Sequence, residues 1–270
     1  MQPLISVIVA TYKHDDMLLR ALNSLASQTY KNFEIIVVDD NANEEYNSRV
    51  NDVITRFRQE NENIKLNYIV NKTNLGSAKT RNVGIDASNG EYITFLDDDD
   101  LYLPENLEKQ VENMLKTGAD YGLTDIILYY DDESLCEQRI RNYIKSYKKE
   151  DLIRYHLRYH LSGTDTLIFK KEYLEKIGKF GNIDFGDEFL LMLKAIENDG
   201  KFTYLPGCYI RAYIHRGEVG LSNGESKING ENTIFEIRKK YFKAAYNGVR
   251  ALLVSPVNFL RHIKERKVWE

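Results

Sequence analysis

Four consecutive carboxylates, Asp97 to Asp100, follow directly on an apolar, strand-like run from Tyr92 to Leu96. Four like charges at a strand end repel one another unless a cation lies among them. These residue types therefore ask for a divalent metal, Mg2+ or Mn2+, holding a phosphate-bearing substrate. A charge run is otherwise a solvated loop. Placement favours the site, because ligands of open α/β sheets bind outside the carboxyl ends of the strands. Two other apolar runs also end in polar groups: Leu4 to Ala10 runs into Thr11-Tyr12, and Phe33 to Val38 into Asp39-Asp40.

The elements that must position these loops follow from periodicity. Leu4 to Ala10 reads as a buried strand, and Leu18, Ala21, Leu22 and Leu25 share one face of a helix within His14 to Ser27. With the strand Phe33 to Val38 they form a βαβ unit, whose strands are parallel. The pattern repeats with Tyr46, Val50, Val53, Ile54 and Phe57 at helical spacing, then Ile64, Leu66, Tyr68 and Val70 in alternation. A helix over Ser77 to Ala87, closed by Ser88-Asn89-Gly90, leads to the strand before the acids. The fold class is α/β: a Rossmann-like, mainly parallel sheet with helices on both faces.

Beyond Pro104, a helix turns Leu107, Val111, Met114 and Leu115 inward, and a strand spans Tyr121 to Tyr129. Residues 131–160 are charged and irregular, with no assignable element. A strand at Thr166 to Phe169, a short helix at Lys171 to Ile177 and a helix carrying Leu190, Leu193 and Ile196 come next. Two short strands, Phe202 to Leu205 and Tyr209 to Tyr213, precede a helix that starts at Thr233 and is interrupted by Pro256.

Composition narrows the classes. A chain of 270 residues is ample for a well-buried core. Its net charge of -4 argues against nucleic acid as a partner. Cys136 and Cys208 lack metal-ligand spacing and fit a reducing compartment. The apolar runs are too short to cross a bilayer, which gives the expectation of a cytoplasmic protein, or one peripheral on the inner face of a membrane. Nineteen tyrosines, spread along the chain, offer faces that suit sugar rings, although most tyrosines are packing residues.

Taken in order, Ser6 to Tyr12, Ala21 to Thr29, Phe33 to Asp40, Asn74-Leu-Gly76, Ala78, Arg81-Asn82, Gly84, Gly90 to Tyr92 and Leu96 to Asp100 resemble the family 2 glycosyltransferases. The resemblance is continuous over the amino-terminal half and patchy beyond it. It implies the GT-A fold and inverting transfer of a sugar, hexosyl or N-acetylhexosaminyl, from a nucleotide-diphosphate sugar to a saccharide or lipid-linked acceptor, in surface polysaccharide or glycolipid synthesis. A UDP-sugar is the expected donor and Mn2+ or Mg2+ the expected cofactor.

Roles are carried over position by position. Thr11, Tyr12 and Asp39 look like the residues holding base and ribose, with the acceptor-only Asp39 carboxylate reading a uracil-type N–H. Arg81 would lie near the phosphates, a helix-surface salt bridge being its ordinary alternative. Asp97, Asp98 and Asp99 look like the metal and ribose carboxylates, with Asp99 the direct ligand, while Asp100 is placed to cap the turn. His215 resembles a histidine near metal or diphosphate. Ser162-Gly163-Thr164 and Asp165 resemble a segment lining the donor-sugar or acceptor side. The catalytic base falls in Phe185 to Ala195, where the family's Glu-Asp order is reversed as Asp187-Glu188. Register favours Glu188 and side-chain identity Asp187; an acidic helix amino terminus is the structural alternative.

The halves would be 1–104 for the nucleotide sugar and 105–229 for acceptor and base, with 230–270 a helical extension. In that extension, apolar residues from Val249 to Trp269 mingle with Arg250, Arg261, Lys264, Arg266 and Lys267, a composition fitting peripheral membrane contact or packing on protein. A phosphohydrolase of the haloacid dehalogenase type shares Asp97-x-Asp99 but places it on its first core strand. A non-catalytic nucleotide-sugar-binding scaffold would lose the metal carboxylates or the base.

Overall fold

The structure is a computed structural model that describes residues 2–183, 185–215 and 225–254. Two compact units are present, Met1–Val219 and Gly220–Glu270. The first opens with β1 (Ile5–Thr11), α1 (Asp15–Ala26), β2 (Phe33–Asp39), α2 (Glu44–Glu60), β3 (Lys65–Val70), α3 (Ser77–Ala87) and β4 (Tyr92–Phe95). It continues with β5 (Leu101–Tyr102), α4 (Asn106–Thr117), β6 (Tyr121–Tyr130), β7 (Leu135–Arg139), α5 (Lys149–Tyr159), β8 (Leu167–Lys170), α6 (Lys171–Lys176), α7 (Asp187–Glu197) and β9 (Phe202–Ile214). Described by itself, the second unit contributes the helix α8 (Glu225–Val254). Among the described residues no helix is long and apolar enough to cross a membrane.

One sheet runs β3-β2-β1-β4-β8-β6-β9-β5, with β7 paired to β6. Its first four strands are parallel, as the two βαβ units require. The antiparallel β8 then separates β4 from β6, and β9 returns parallel to β6. Helices α1, α2 and α4 pack Leu22, Ile54 and Val111 with Val7 and Val37 on one face. On the other, α3, α6 and α7 pack Ile85, Leu174 and Leu191 against Ile8, Ile93 and Phe95. Coverage on both sides is why β2 is buried along its whole length and reads as an unbroken apolar run, whereas edge strand β3 alternates.

Three expectations from sequence need correction. The unassigned stretch 131–160 holds β7 and α5. It escapes periodicity because β7 is largely exposed and α5 buries only Leu152 and His156. Leu115 is 54% exposed: Leu107, Val111 and Met114 already fill the buried stripe of α4. The two late strands are one, β9, which continues through Pro206 by a β-bulge where its register on β6 shifts at Thr124 and Asp125. Gly207 takes φ 125° there, and its N–H donates to Asp125 at 3.0 Å. Pro256 and most of the carboxyl-terminal apolar and basic residues lie outside the described residues.

Gly90, at the turn into β4, packs against the β1 backbone. A Cβ at that position would sit 2.5 Å from the Ser6 N and 2.6 Å from its hydroxyl. Gly90→Ala is expected to destabilise the protein by about 1–3 kcal/mol, the usual range for overpacking. Denaturant unfolding measures this, and an unchanged midpoint would contradict the packing described.

Candidate active site

Because β1 and β4 are neighbours in register Ile8↔Phe95, their carboxyl ends bring the loop after Thr11 against Asp97 to Asp100. The Tyr12 N–H donates to Asp98 Oδ2 at 3.2 Å, and His14 Nδ1 lies 3.1 Å from Asp98 Oδ1. Asp100 folds the loop back, its N–H donating to the Asp97 carbonyl at 3.1 Å, while its carboxylate accepts the Tyr213 N–H at 2.8 Å. That bond brings β9, and with it His215, to the cluster. His215 Nε2 is 3.2 Å from Asp99 Oδ2 and its Nδ1 is 2.5 Å from Asp131 Oδ1. The Asp99 carboxylate beside it, with Asp131, raises the His215 imidazole to about 9.

Asp97 points elsewhere, to Arg81 Nη2 at 2.7 Å, and its N–H donates to Asp165 at 2.7 Å. The other arm of the guanidinium, Nη1, holds Asp187 at 2.7 Å. Arg81 is buried and committed to two carboxylates, which raise its pKa against the opposing cost of burial. Arg81 thereby links the end of β4 to the start of α7.

Asp187 and Glu188 open α7, where negative charge meets the helix dipole. Asp187 is 3% exposed, and burial pushes it up to about 7 although Arg81 opposes the shift. Its Oδ1 also accepts the Glu188 N–H at 2.9 Å. Glu188 has moved the other way, to about 2: burial would raise it, but the His160 imidazole 2.8 Å away outweighs that cost. Both residues named for the base thus lie at the site in different electrostatic states.

The nucleotide-side residues divide. Thr11 is buried and Tyr12 is 45% exposed, with the Lys13 ammonium 5.0 Å from its ring centroid. Asp39 is wholly buried: its oxygens accept the Asn41 N–H and amide at 2.9 and 2.8 Å and the Tyr68 hydroxyl at 2.7 Å. Two of these bonds fall on Oδ1 and one on Oδ2, which leaves Oδ2 an acceptor site for a further N–H. Asp40 clamps the loop before α3, accepting Asn71 Nδ2, Leu75 N and Gly76 N at 2.8, 2.8 and 2.9 Å. Beside Tyr68 and Asn71 a cleft of about 560 Å³ opens, bordered also by Asn43, Asn47 and Lys72.

A divalent cation fits this chemistry. His14, Asp98 and Asp99 present ligand atoms within 4.8 Å of one another, as do Asp97, Asp100 and Asp165. An imidazole beside two carboxylates leans toward Mn2+ over Mg2+. Of the metal-binding residues expected from sequence, Asp99 and His215 are adjacent, whereas Asp97 faces Arg81. Sequence reasoning missed His14, Asp131 and His160. Only His14 carried a signal, its place in the loop right after β1.

Residues 6–178 match the family model described as Glycosyl transferase family 2. The chain belongs to that family. It is 37% identical over 252 residues to an uncharacterized glycosyltransferase of Haemophilus influenzae, covering 89% of this chain and 78% of that relative. Among solved structures it is similar to S. aureus TarS 1-349 in complex with UDP-GlcNAc, with TM-score 0.66 and 23% identity, over 82% of this chain and 61% of that one. It is also similar to the mannosyltransferase PcManGT of Pyrobaculum calidifontis in complex with GDP-Man and Mn2+, with TM-score 0.60 and 18% identity, over 79% of this chain and 57% of that one. The chain thus spans about three fifths of each solved protein. At these identities the likeness bears on fold, and the fold is GT-A.

Uncompensated carboxylates give this glycosyltransferase-family chain a testable pH signature. Burial pushes Asp165 up to about 8, with Asp97 adding to the shift. Asp165 and Asp187 hold protons more tightly folded than unfolded, so their contribution to stability is complete below pH about 4 and is lost as pH rises through about 7 to 8. The metal-free protein is expected to melt at falling temperature from pH 6 to pH 9, and Asp165→Asn, a neutral isostere, to flatten that fall. Thermal melts of both proteins across this range would contradict the account if they ran parallel.

Proposed function

We propose that the chain is a metal-dependent, inverting glycosyltransferase that moves a sugar from a nucleoside diphosphate sugar, uridine first, to a saccharide or lipid-linked acceptor. The observation that carries this reading is the convergence of a metal-competent carboxylate loop and an acidic pair on one helix, joined through Arg81. The named complexes of TarS with UDP-GlcNAc and of PcManGT with GDP-Man and Mn2+ support the donor class and the metal. Surface polysaccharide or glycolipid synthesis is the setting carried over from the family. An inner membrane face, reached through the carboxyl-terminal basic and apolar segment, is the place that fits such acceptors.

Asp99, Asp98 and His14 would hold Mn2+ or Mg2+, with His215 steadying Asp99. A cation held there would neutralise charge on the departing diphosphate. The cleft beside Tyr68 and Asn71 would take the base, and Tyr12 would border the ribose. Asp97, turned to Arg81, orients the loop. Asp187 is occupied by Arg81 and by its own helix, so Glu188 is the better base. Its carboxylate takes the proton as the acceptor oxygen bonds to the anomeric carbon and the bond from that carbon to the diphosphate oxygen breaks.

The two acids separate in a donor-consumption assay that follows UDP release from UDP-N-acetylglucosamine, UDP-glucose and UDP-galactose with Mn2+. Glu188→Gln should lose ~10²- to 10⁴-fold in kcat, the range of a general base, and keep its affinity for UDP. Asp187→Asn should weaken activity less and lower stability, since Arg81 loses a charged partner. An active Glu188→Gln beside a dead Asp187→Asn would move the base by one residue. Activity in both would place it elsewhere.

A further inference from the structure

Glu188 is contacted from an element that the sequence left unassigned. Helix α5 ends at His160, whose Nε2 lies 2.8 Å from Glu188 Oε1. The end of α5 is fixed on the start of α7 by a ring cluster. His156 is fully buried, its Nε2 is 2.9 Å from the Phe189 carbonyl, and its ring stacks on Phe189 at 4.1 Å. The His160 ring meets the same Phe189 edge-on at 5.0 Å. The side chains of His160 and Glu188 stay 35% and 16% exposed, so this pair keeps a path to solvent that the 4% exposed Asp187 side chain lacks.

Building on the assignment of Glu188 as base, we propose that His160 is the positioning residue of that base: its Nε2–H holds one carboxylate oxygen, leaving the other to take the acceptor proton. The geometry follows a general rule of acid–base sites, in which the reacting group is oriented by a third one. Charged groups from several elements lie around Glu188. His160 comes from α5, Asp187 from α7 itself and Asp97 from the end of β4, with Arg81 of α3 one carboxyl further away. Burial opposes ionisation of Glu188; His160 does most to favour it, and a hydrogen bond with Asp187 acts in the same direction. Arg81 commits Asp187 and His160 prepares Glu188, so two positively polarised groups on different helices decide which of two adjacent acids is the base.

The backbone supplies a clean variant. His160 caps α5 in the left-handed region, φ 52° and ψ 75°, a conformation that glycine adopts without strain. His160→Gly therefore removes the imidazole while keeping the cap; it should still unfold cooperatively, at a melting temperature lowered by the lost ring contact and ion pair. With UDP-N-acetylglucosamine, UDP-glucose and UDP-galactose in turn, kcat for UDP release should fall ~10- to 100-fold, part of what a general base supplies, with the donor KM held. The acid limb of the kcat profile should move to higher pH, since Glu188 loses the partner that keeps it ionised. Added imidazole should restore part of the lost kcat, which a packing defect would not allow. Without any donor, ¹³C NMR of labelled glutamate carboxyls should find Glu188 titrating above its wild-type midpoint in His160→Gly.

A His160→Gly protein with wild-type kcat and an unmoved Glu188 midpoint, alongside an inactive Glu188→Gln, would overturn the role of His160 and leave the base assignment standing. An active Glu188→Gln would overturn the base assignment and this inference with it.

Discussion

The site depends on one buried guanidinium. Arg81 reaches Asp97 with one nitrogen and Asp187 with another, both at 2.7 Å, and so fastens the end of β4 to the start of α7 through α3. Ions taken out of water each cost several kcal/mol unless they are paired, and breaking a buried pair costs ~3–5 kcal/mol because it strands the other charge. The three groups must therefore stay together. Their union holds the carboxylate loop and the acidic pair in one geometry, although Asp97 and Asp187 lie 90 positions apart in the chain.

Around that bridge the site carries more negative charge than its own cations answer. Asp97, Asp98, Asp100 and Asp165 are all pushed above the ordinary carboxylate range, each chiefly by burial. His14 and His215 offset part of this at Asp98 and Asp99. An excess of buried oxygen donors, two histidines and ligand atoms within 4.8 Å of one another form a place that a divalent cation would neutralise.

The amino-terminal half was legible because its residues obey one constraint each. The strands of the first βαβ unit are covered on both faces and read as apolar runs; α1 and α2 show a single buried stripe; and α3 spans the expected Ser77–Ala87, ending at Ser88. Legibility failed where a residue's role is set by distant partners. For Asp39, expected to read a base N–H, the sequence did not show that Asn41 and Tyr68 also bond its carboxylate. For Arg81, expected near the phosphates or in a salt bridge, the sequence did not show its two partners, Asp97 and Asp187. Helix α5 was invisible because a histidine supplies half of its buried face, and no hydrophobic periodicity marks a histidine that packs on an aromatic ring. The reversed acidic pair could be ranked from sequence, but the hydrogen bonds that distinguish Asp187 from Glu188 arise from α3 and α5.

The central claim is that this loop binds a nucleoside diphosphate through a metal, and titration calorimetry with UDP tests it most directly. The account predicts that wild-type protein binds UDP with Mn2+ present and loses that binding either without the metal or in Asp99→Asn. Binding of UDP that is indifferent to both Mn2+ and Asp99, or no binding of UDP or thymidine diphosphate under any metal condition, would contradict it.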